Sequence, residues 1–163
     1  MNTILLTSAT LLAGLMAGLF YAWSISVTPG LAQVSTQSYL ESFQSMNRAI
    51  LNPAFFIAFM GQAILLPFVT YWFFKSGNGP QFGYVLGATL LYWLGCMLVT
   101  MFGNVPLNNT LEVLQIEQMT GEQMEVFRSG FEKKWNQFNL IRTISTLLSL
   151  LLLILACLQN VNR

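Results

Sequence analysis

The chain has 163 residues, of which 55% are apolar and 8% charged. Soluble domains carry roughly 25% charged residues, so seven Lys/Arg and six Glu cannot coat a soluble fold, and the composition is that of a membrane protein. With no His and no Asp, His-ligated haem, the usual non-haem iron triad, most zinc sites and Ser-His-Asp or Cys-His catalysis are excluded, and a net charge of +1 without a basic run excludes a nucleic-acid binder.

The first charged side chain is Glu41, and charge is absent from Ala49 to Phe74, Ser76 to Leu111 and Thr143 to Asn162. About 20 apolar residues cross a hydrocarbon layer of ~30 Å as a helix. Four spans are expected, at about 4–27, 54–74, 82–102 and 139–158. The first has an apolar run about twice that of a signal peptide and no preceding Lys or Arg. It is therefore read as a retained helix. The predicted fold is all-α: one membrane domain over residues 1–163, a four-transmembrane-helix bundle with two amphipathic helical connections on one face. The halves share a plan of helix, polar connection, helix, without an exact repeat.

Pro29-Gly30 is expected to close span one, and Asn52-Pro53 to open span two with Asn as N-cap. Gly77-Asn78-Gly79-Pro80 is read as a tight turn, and Gly103 as the end of span three. Both termini then share a face with that turn, and the long connections, roughly 28–53 and 103–138, share the other. Lys75 and Arg163 mark one face, and Arg48, Arg128, Lys133 and Lys134 mark the other among all six Glu, which leaves orientation open.

In the first connection, about 36–51, Tyr39, Leu40, Phe43, Met46 and Ile50 form a helical stripe with Thr36 as cap, expected to lie on the membrane surface. The second, about 107–137, has Leu107, Leu111 and Leu114 on one stripe, then Thr120-Gly121-Glu122-Gln123 as a capping box. From there Met124, Phe127, Phe131, Trp135, Phe138 and Arg142 follow steps of three and four, so one helix runs on into span four. Arg142 is expected to face the bundle interior, the alternative being to snorkel to the interface.

Asn47, Asn52, Asn104, Asn108, Asn109 and Asn139 gather where the long connections meet the spans, with Arg48, Arg142, Gln62 and Thr100. Such amides and a guanidinium could bind a planar oxygenated ligand, a carboxylate or an enolate; they also serve as helix caps and interhelical bonds, a reading that is favoured for Asn52. Gly14/Gly18 and Gly83/Gly87 form G-x-x-x-G pairs, read as packing within the bundle ahead of contact in a homo-oligomer. Tyr21, one turn after Gly18, is expected to aim its hydroxyl at the polar cluster. Cys96 and Cys157 make no C-x-x-C and are read as buried thiols rather than exchange cysteines.

Four segments taken together resemble a known family. They are A-G-L-F-Y-A-W at 17–23 followed by P-G-L at 29–31, M-N-R-A-I-L-N-P-A-F at 46–55, N-V-P-L-N at 104–108, and W-N-Q-F-N-L-I-R-T at 135–143. The chain resembles the anthrone oxygenase-like family of small four-span membrane proteins, most of whose bacterial members have no assigned activity. The resemblance implies oxidation of an aromatic or polyketide-like ketone by dioxygen as co-substrate, without metal or flavin. It places Asn47, Asn52, Asn104, Pro106, Asn108, Trp135, Asn139 and Arg142 on matched positions, with Arg142 and Asn139 as catalytic candidates and Asn47, Asn52, Asn104, Asn108, Trp135 and Tyr21 as binding candidates. Leu140 stands where many relatives carry His, so a base would be Glu41 or Glu112, or substrate acidity would be raised by Arg142.

The expected setting is a bilayer, the bacterial inner membrane, with a hydrophobic small molecule as ligand and no nucleic acid. The competing function is a non-catalytic quinone- or lipid-binding protein or an accessory subunit of a membrane complex. A small transporter ranks last, because no span is broken by a Gly/Pro pair at mid-depth and intramembrane acids are missing.

Overall fold

A computed structural model of the chain describes residues 2–77 and 79–161; Asn78 of the hairpin turn and the terminal Arg163 lie outside them. The described residues are all-α. Helix α1 (Asn2–Ala22), a π-helical turn (Trp23–Val27) and α2 (Thr28–Leu31) form one rod. Next come α3 (Thr36–Ile50) and α4 (Pro53–Lys75). Helix α5 (Gly79–Tyr92), π-turns at Trp93–Met97 and Thr100–Asn104, and α6 (Val105–Glu112) form a second composite rod. After a 3-10 turn at Ile116–Gln118, α7 runs from Gly121 to Val161. Four of these helical stretches are long and apolar enough to cross a membrane: Thr3–Leu31, Pro53–Lys75, Gly79–Glu112 and Gly121–Gln159. The protein is an integral membrane four-helix bundle.

Pro29-Gly30 lies in the last turn of the first rod, which stops at Leu31 as the sequence suggests, whereas Gly103 ends nothing: the second rod stays helical to Glu112. Proline lacks an N–H and its ring crowds the carbonyl four residues back. Here each such proline follows a π-turn, Trp23–Val27 before Pro29 and Thr100–Asn104 before Pro106. The wider turn absorbs the crowding and the rod continues.

Helices α1 and α5 both pack on α4 and on α7, which closes the ring. Helix α1 turns Leu6, Ala9, Ala13, Met16 and Phe20 inward. Gly14 and Gly18 lie on the other side, where an added Cβ would meet nothing within 4 Å. Their pair therefore does not pack the bundle, contrary to the sequence expectation: alanines supply the inward stripe of α1. The close approach of backbones occurs instead at Gly95, where a Cβ would overlap the Ser145 side chain, and at Gly103, where it would lie 2.8 Å from the Phe138 ring. Gly95→Ala is expected to lower stability by about 1–3 kcal/mol, the usual cost of overpacking. Adding Ser145→Gly should restore most of it, as read by thermal unfolding in detergent micelles.

A second core sits outside the bundle. Tyr39, Leu40 and Phe43 of α3 are buried with Leu111, Ile116, Phe131 and Trp135. Helix α3 therefore buries Tyr39, Leu40 and Phe43 of its apolar stripe against α6 and α7. Its cap is Ser35, whose hydroxyl accepts from the Ser38 N–H at 3.2 Å, one residue before the expected Thr36. The other caps are as read from sequence. Asn52 Oδ1 accepts from the Phe55 N–H at 3.0 Å, and Thr120 and Gln123 bond reciprocally at 3.3 and 2.8 Å. Helix α7, 41 residues long, spans ~60 Å, twice a hydrocarbon layer. Its first half belongs to this outer core and its second to the bundle.

The Tyr39 hydroxyl is buried without a hydrogen-bond partner. Burial first, then the Glu132 carboxylate, raise its pKa above the ordinary phenol value, against the pull of Arg128. The unfolded chain would ionise this phenol near pH 10 while the folded one keeps it neutral. The stability Tyr39 contributes is thus complete below that pH and lost above it, by up to about 1.4 kcal/mol per pH unit. Tyr39→Phe should remove this component, so denaturation curves of wild type and variant should diverge from pH ~10 upward.

Candidate functional site

The two cores meet around a pocket walled by the end of α1 with its π-turn (Leu19, Phe20, Trp23), the α3–α4 corner (Met46, Asn47, Ile50, Leu51, Phe55), the Thr100–Asn104 π-turn and α6 (Thr100, Asn104, Val105, Asn108), and α7 (Trp135, Asn139, Arg142). It encloses about 100 Å³, of the order of a cavity that accepts one aromatic ring. Most of the wall is apolar; the polar groups converge from α3, the Thr100–Asn104 π-turn, α6 and α7.

Arg142 is 6% exposed. It is the last charged residue before the uncharged stretch 143–161 of α7, which spans ~30 Å, so it lies at one edge of the hydrocarbon layer. Its Nη2 donates to Asn139 Oδ1 at 2.9 Å and its Nη1 reaches Thr100 Oγ1 at 3.5 Å. Its guanidinium carbon lies 4.4 Å from the Phe20 ring centroid and 5.3 Å from that of Trp135. These cation–π contacts offset part of the lost hydration. The two ion pairs among the described residues, Arg48–Glu112 and Arg128–Glu132, do not involve it. A guanidinium keeps its charge, so this pocket holds a cation without a carboxylate, and Arg142 Nε has no hydrogen-bond partner.

A network from the first span holds Asn139 in place. Its Nδ2 donates to Ser24 Oγ at 2.9 Å and to the Phe20 carbonyl at 3.4 Å. Thr143 donates to that same carbonyl at 3.0 Å, and Ser24 and Thr143 share a bond of 2.8 Å. A regular α-helix would direct the Phe20 carbonyl along its own axis; the adjoining π-turn leaves it able to receive side chains of α7. Across the pocket, Trp135 Nε1 donates to Asn108 Oδ1 at 2.8 Å, and Asn104 Nδ2 to the Trp135 carbonyl at 3.4 Å. Asn104 Oδ1 and Asn47 Nδ2 are buried without partners. A ligand carrying a negative or carbonyl oxygen and a hydroxyl would satisfy these free donors and the free acceptor.

Six of the eight residues expected at the site line this pocket: Asn47, Asn104, Asn108, Trp135, Asn139 and Arg142. Asn52 is away from it, exposed, spent on capping α4 and on the Ala49 carbonyl. Tyr21 is 47% exposed and faces outward, sharing a helix side with Gly18 instead of Phe20. Gln62 is fully buried in the bundle with both amide atoms unbonded, but it is not part of the wall. Glu41 is engaged by Gln37 and Glu112 by Arg48, and neither carboxylate lines the pocket. Residues that sequence reasoning missed are Phe20, Ser24 and Thr143, which fix the arginine and its partner. The signal was present in the phase of α1, where Phe20 continues the Ala9, Ala13 and Met16 face.

These features define a polytopic membrane protein with a small, mostly apolar pocket around an unneutralised cation. A family model described as anthrone oxygenase matches residues 54–152, and the chain belongs to that family. The match runs from the start of α4 into α7, so the segment before it, which supplies nearly half of the pocket wall, lies outside it. No curated protein and no solved structure matches the chain.

Asn139→Ala would leave Arg142 without its closest acceptor and Ser24 without a donor. Loss of about 1–3 kcal/mol is expected from the unsatisfied groups, measured as a drop in unfolding midpoint, with Asn52→Ala smaller because its cap is exposed to solvent.

Proposed function

We propose that the pocket binds a flat, membrane-soluble phenolic or polyketide-like ketone of the anthrone type as its enolate, and that the protein is a cofactor-independent oxygenase. One observation carries this reading: a buried guanidinium with no acidic partner, beside unbonded amides, at a cavity of single-ring size. A preorganised cation in a low-dielectric site stabilises an oxyanion far better than water does. The family membership supports the reaction type.

In the proposed step, the CH2 group opposite the ketone in the central ring loses a proton to water, and the negative charge moves through the conjugated ring to the ketone oxygen against Arg142. The resulting enolate carbon transfers an electron to dioxygen and combines with it. Loss of water from the hydroperoxide leaves a new carbonyl. One oxygen atom stays in the product and the other leaves as water, with the two CH2 hydrogens. Asn139 orients Arg142, and Asn104, Asn47 and Asn108 orient the ligand. Trp135 stacks beside it. Neither Glu41 nor Glu112 serves as base in this scheme. Acidity comes from stabilising the anion. The bacterial inner membrane is the location we propose, on the resemblance to bacterial members.

The test is oxygen uptake by the purified protein with anthrone. Arg142→Gln should lose about 10²–10³ in turnover, the usual cost of removing an oxyanion donor. Its pH profile should also move to higher pH, because the enolate then forms only under more alkaline conditions, whereas Arg142→Lys should retain part of the shift. Enolate binding without oxygen uptake would replace the oxygenase reading with a non-catalytic binding protein.

A further inference from the structure

The pocket is closed toward the aqueous side. Arg48 and Glu112 bridge α3 and α6 at 2.6 Å, and Gln44 Nε2 donates to the Leu111 and Leu114 carbonyls at 2.8 and 3.2 Å. Behind them the rings of Trp23, Phe43 and Trp135 lie within 5.5 Å of one another, centroid to centroid. The membrane side differs. Helix α3 ends at Ile50, so Leu51 lies membrane-ward of Arg48, just as Val105 at the start of α6 lies membrane-ward of Glu112. Both line the pocket, and both are exposed, Leu51 at 66% and Val105 at 41%. Phe56 on α4 and Met101 and Phe102 on the π-turn are exposed apolar residues nearby in the chain, and the exposed Asn52 beside Leu51 spends its amide on the Phe55 N–H and the Ala49 carbonyl. An apolar rim of this kind is stable against acyl chains and costly against water.

Resting on the reading of Arg142 as an anion site, we propose that the ligand reaches it sideways from the bilayer, through a portal between Leu51 at the α3–α4 corner and Val105 of α6. The ligand is then a neutral, lipid-dissolved ketone or phenol that ionises only on meeting Arg142. The size of the pocket fits this route. At about 100 Å³ it houses one ring, so a fused ring system places its reacting ring at Arg142 and its far ring in the portal, still against lipid. Apart from Arg142 the lining of the pocket carries no charged side chain, and Ile50, Phe55, Leu19 and Phe20 are among its apolar members.

The experiment uses the full chain in phosphatidylcholine nanodiscs under anaerobic conditions, with anthrone as probe and the visible absorbance of its enolate as stopped-flow readout. Leu51→Trp and Val105→Trp narrow the portal. They should slow appearance and loss of the signal together, by about ten-fold, because a gate raises one barrier for both directions. Leu148→Trp, on the lipid face of α7, should leave both rates unchanged. An anthrone bearing a sulfonate, which stays in water, should give no signal. Unchanged rates in the two rim variants, or a signal from the sulfonate at the anthrone rate, would overturn the portal. Arg142→Gln separates the two layers of argument. If it abolishes the signal while the rim variants exchange normally, the anion site stands and the lateral route fails. If it keeps the signal, the anion site fails and the portal with it.

Discussion

A guanidinium placed at the edge of the hydrocarbon layer with no carboxylate nearby is the constraint around which this fold is arranged. Burying a charge costs several kcal/mol even after relaxation, and the bundle offers only neutral compensation. Asn139 accepts one hydrogen bond, Thr100 stands at the limit of another, and two rings supply their π faces. Each partner is held in turn by something else: Asn139 by Ser24 and the Phe20 carbonyl, Trp135 by Asn108. A partial set of this kind leaves electrostatic capacity for a ligand. An acid in the pocket would have used it up.

Two of the three π-turns, Trp23–Val27 and Thr100–Asn104, explain how neutral groups come to be available there. Each of these precedes a proline within its rod and faces the pocket, through Trp23 in one and Thr100 and Asn104 in the other. A wider turn displaces carbonyls from the line of their usual N–H donors and rotates side chains off the regular helical phase. The Phe20 carbonyl thereby serves Asn139 and Thr143, and Asn104 meets the α7 backbone at Trp135. Proline in these rods thus shapes the site.

The number of spans, the running of α7 from its capping box into the membrane, and most of the polar cluster were legible in the sequence. Those features rest on charge-free lengths and on steps of three and four, which are local. The errors come from features that are tertiary. Whether Gly18 or Ala17 faces the bundle is decided by which neighbour α1 meets, and both phases carry small residues. How much of the α3 stripe is buried against protein likewise depends on α7 extending far enough out of the membrane to receive Phe43 against Phe131 and Trp135. Tyr21 and Phe20 differ by one position, yet a helix turns ~100° between them, so a slip of one residue exchanges lipid for site. Asn52 shows the opposite case: its Asn-Pro context was sufficient, and its side chain is indeed spent on the helix it opens.

Helix α7 joins all of this mechanically. Phe131 and Trp135 are fixed in the outer core, and Ser145, Thr146 and Ser149 are buried in the bundle. Between them lie Asn139 and Arg142, on a helix that has no break at which the two halves could move independently. The arginine is therefore positioned by packing on both sides of the membrane boundary. Close contact at Gly95 and Gly103 holds the second composite rod against the same stretch of α7, on either side of Thr100. The α3–α4 corner is joined differently, through one capped turn at Asn52 and the bonds of Arg48 and Gln44 to α6. This is the wall that carries Leu51, one residue past the helix whose Phe43 packs on Trp23, Phe131 and Trp135, so the same aromatic contacts that fix α7 beside the cation also hold the corner of the pocket.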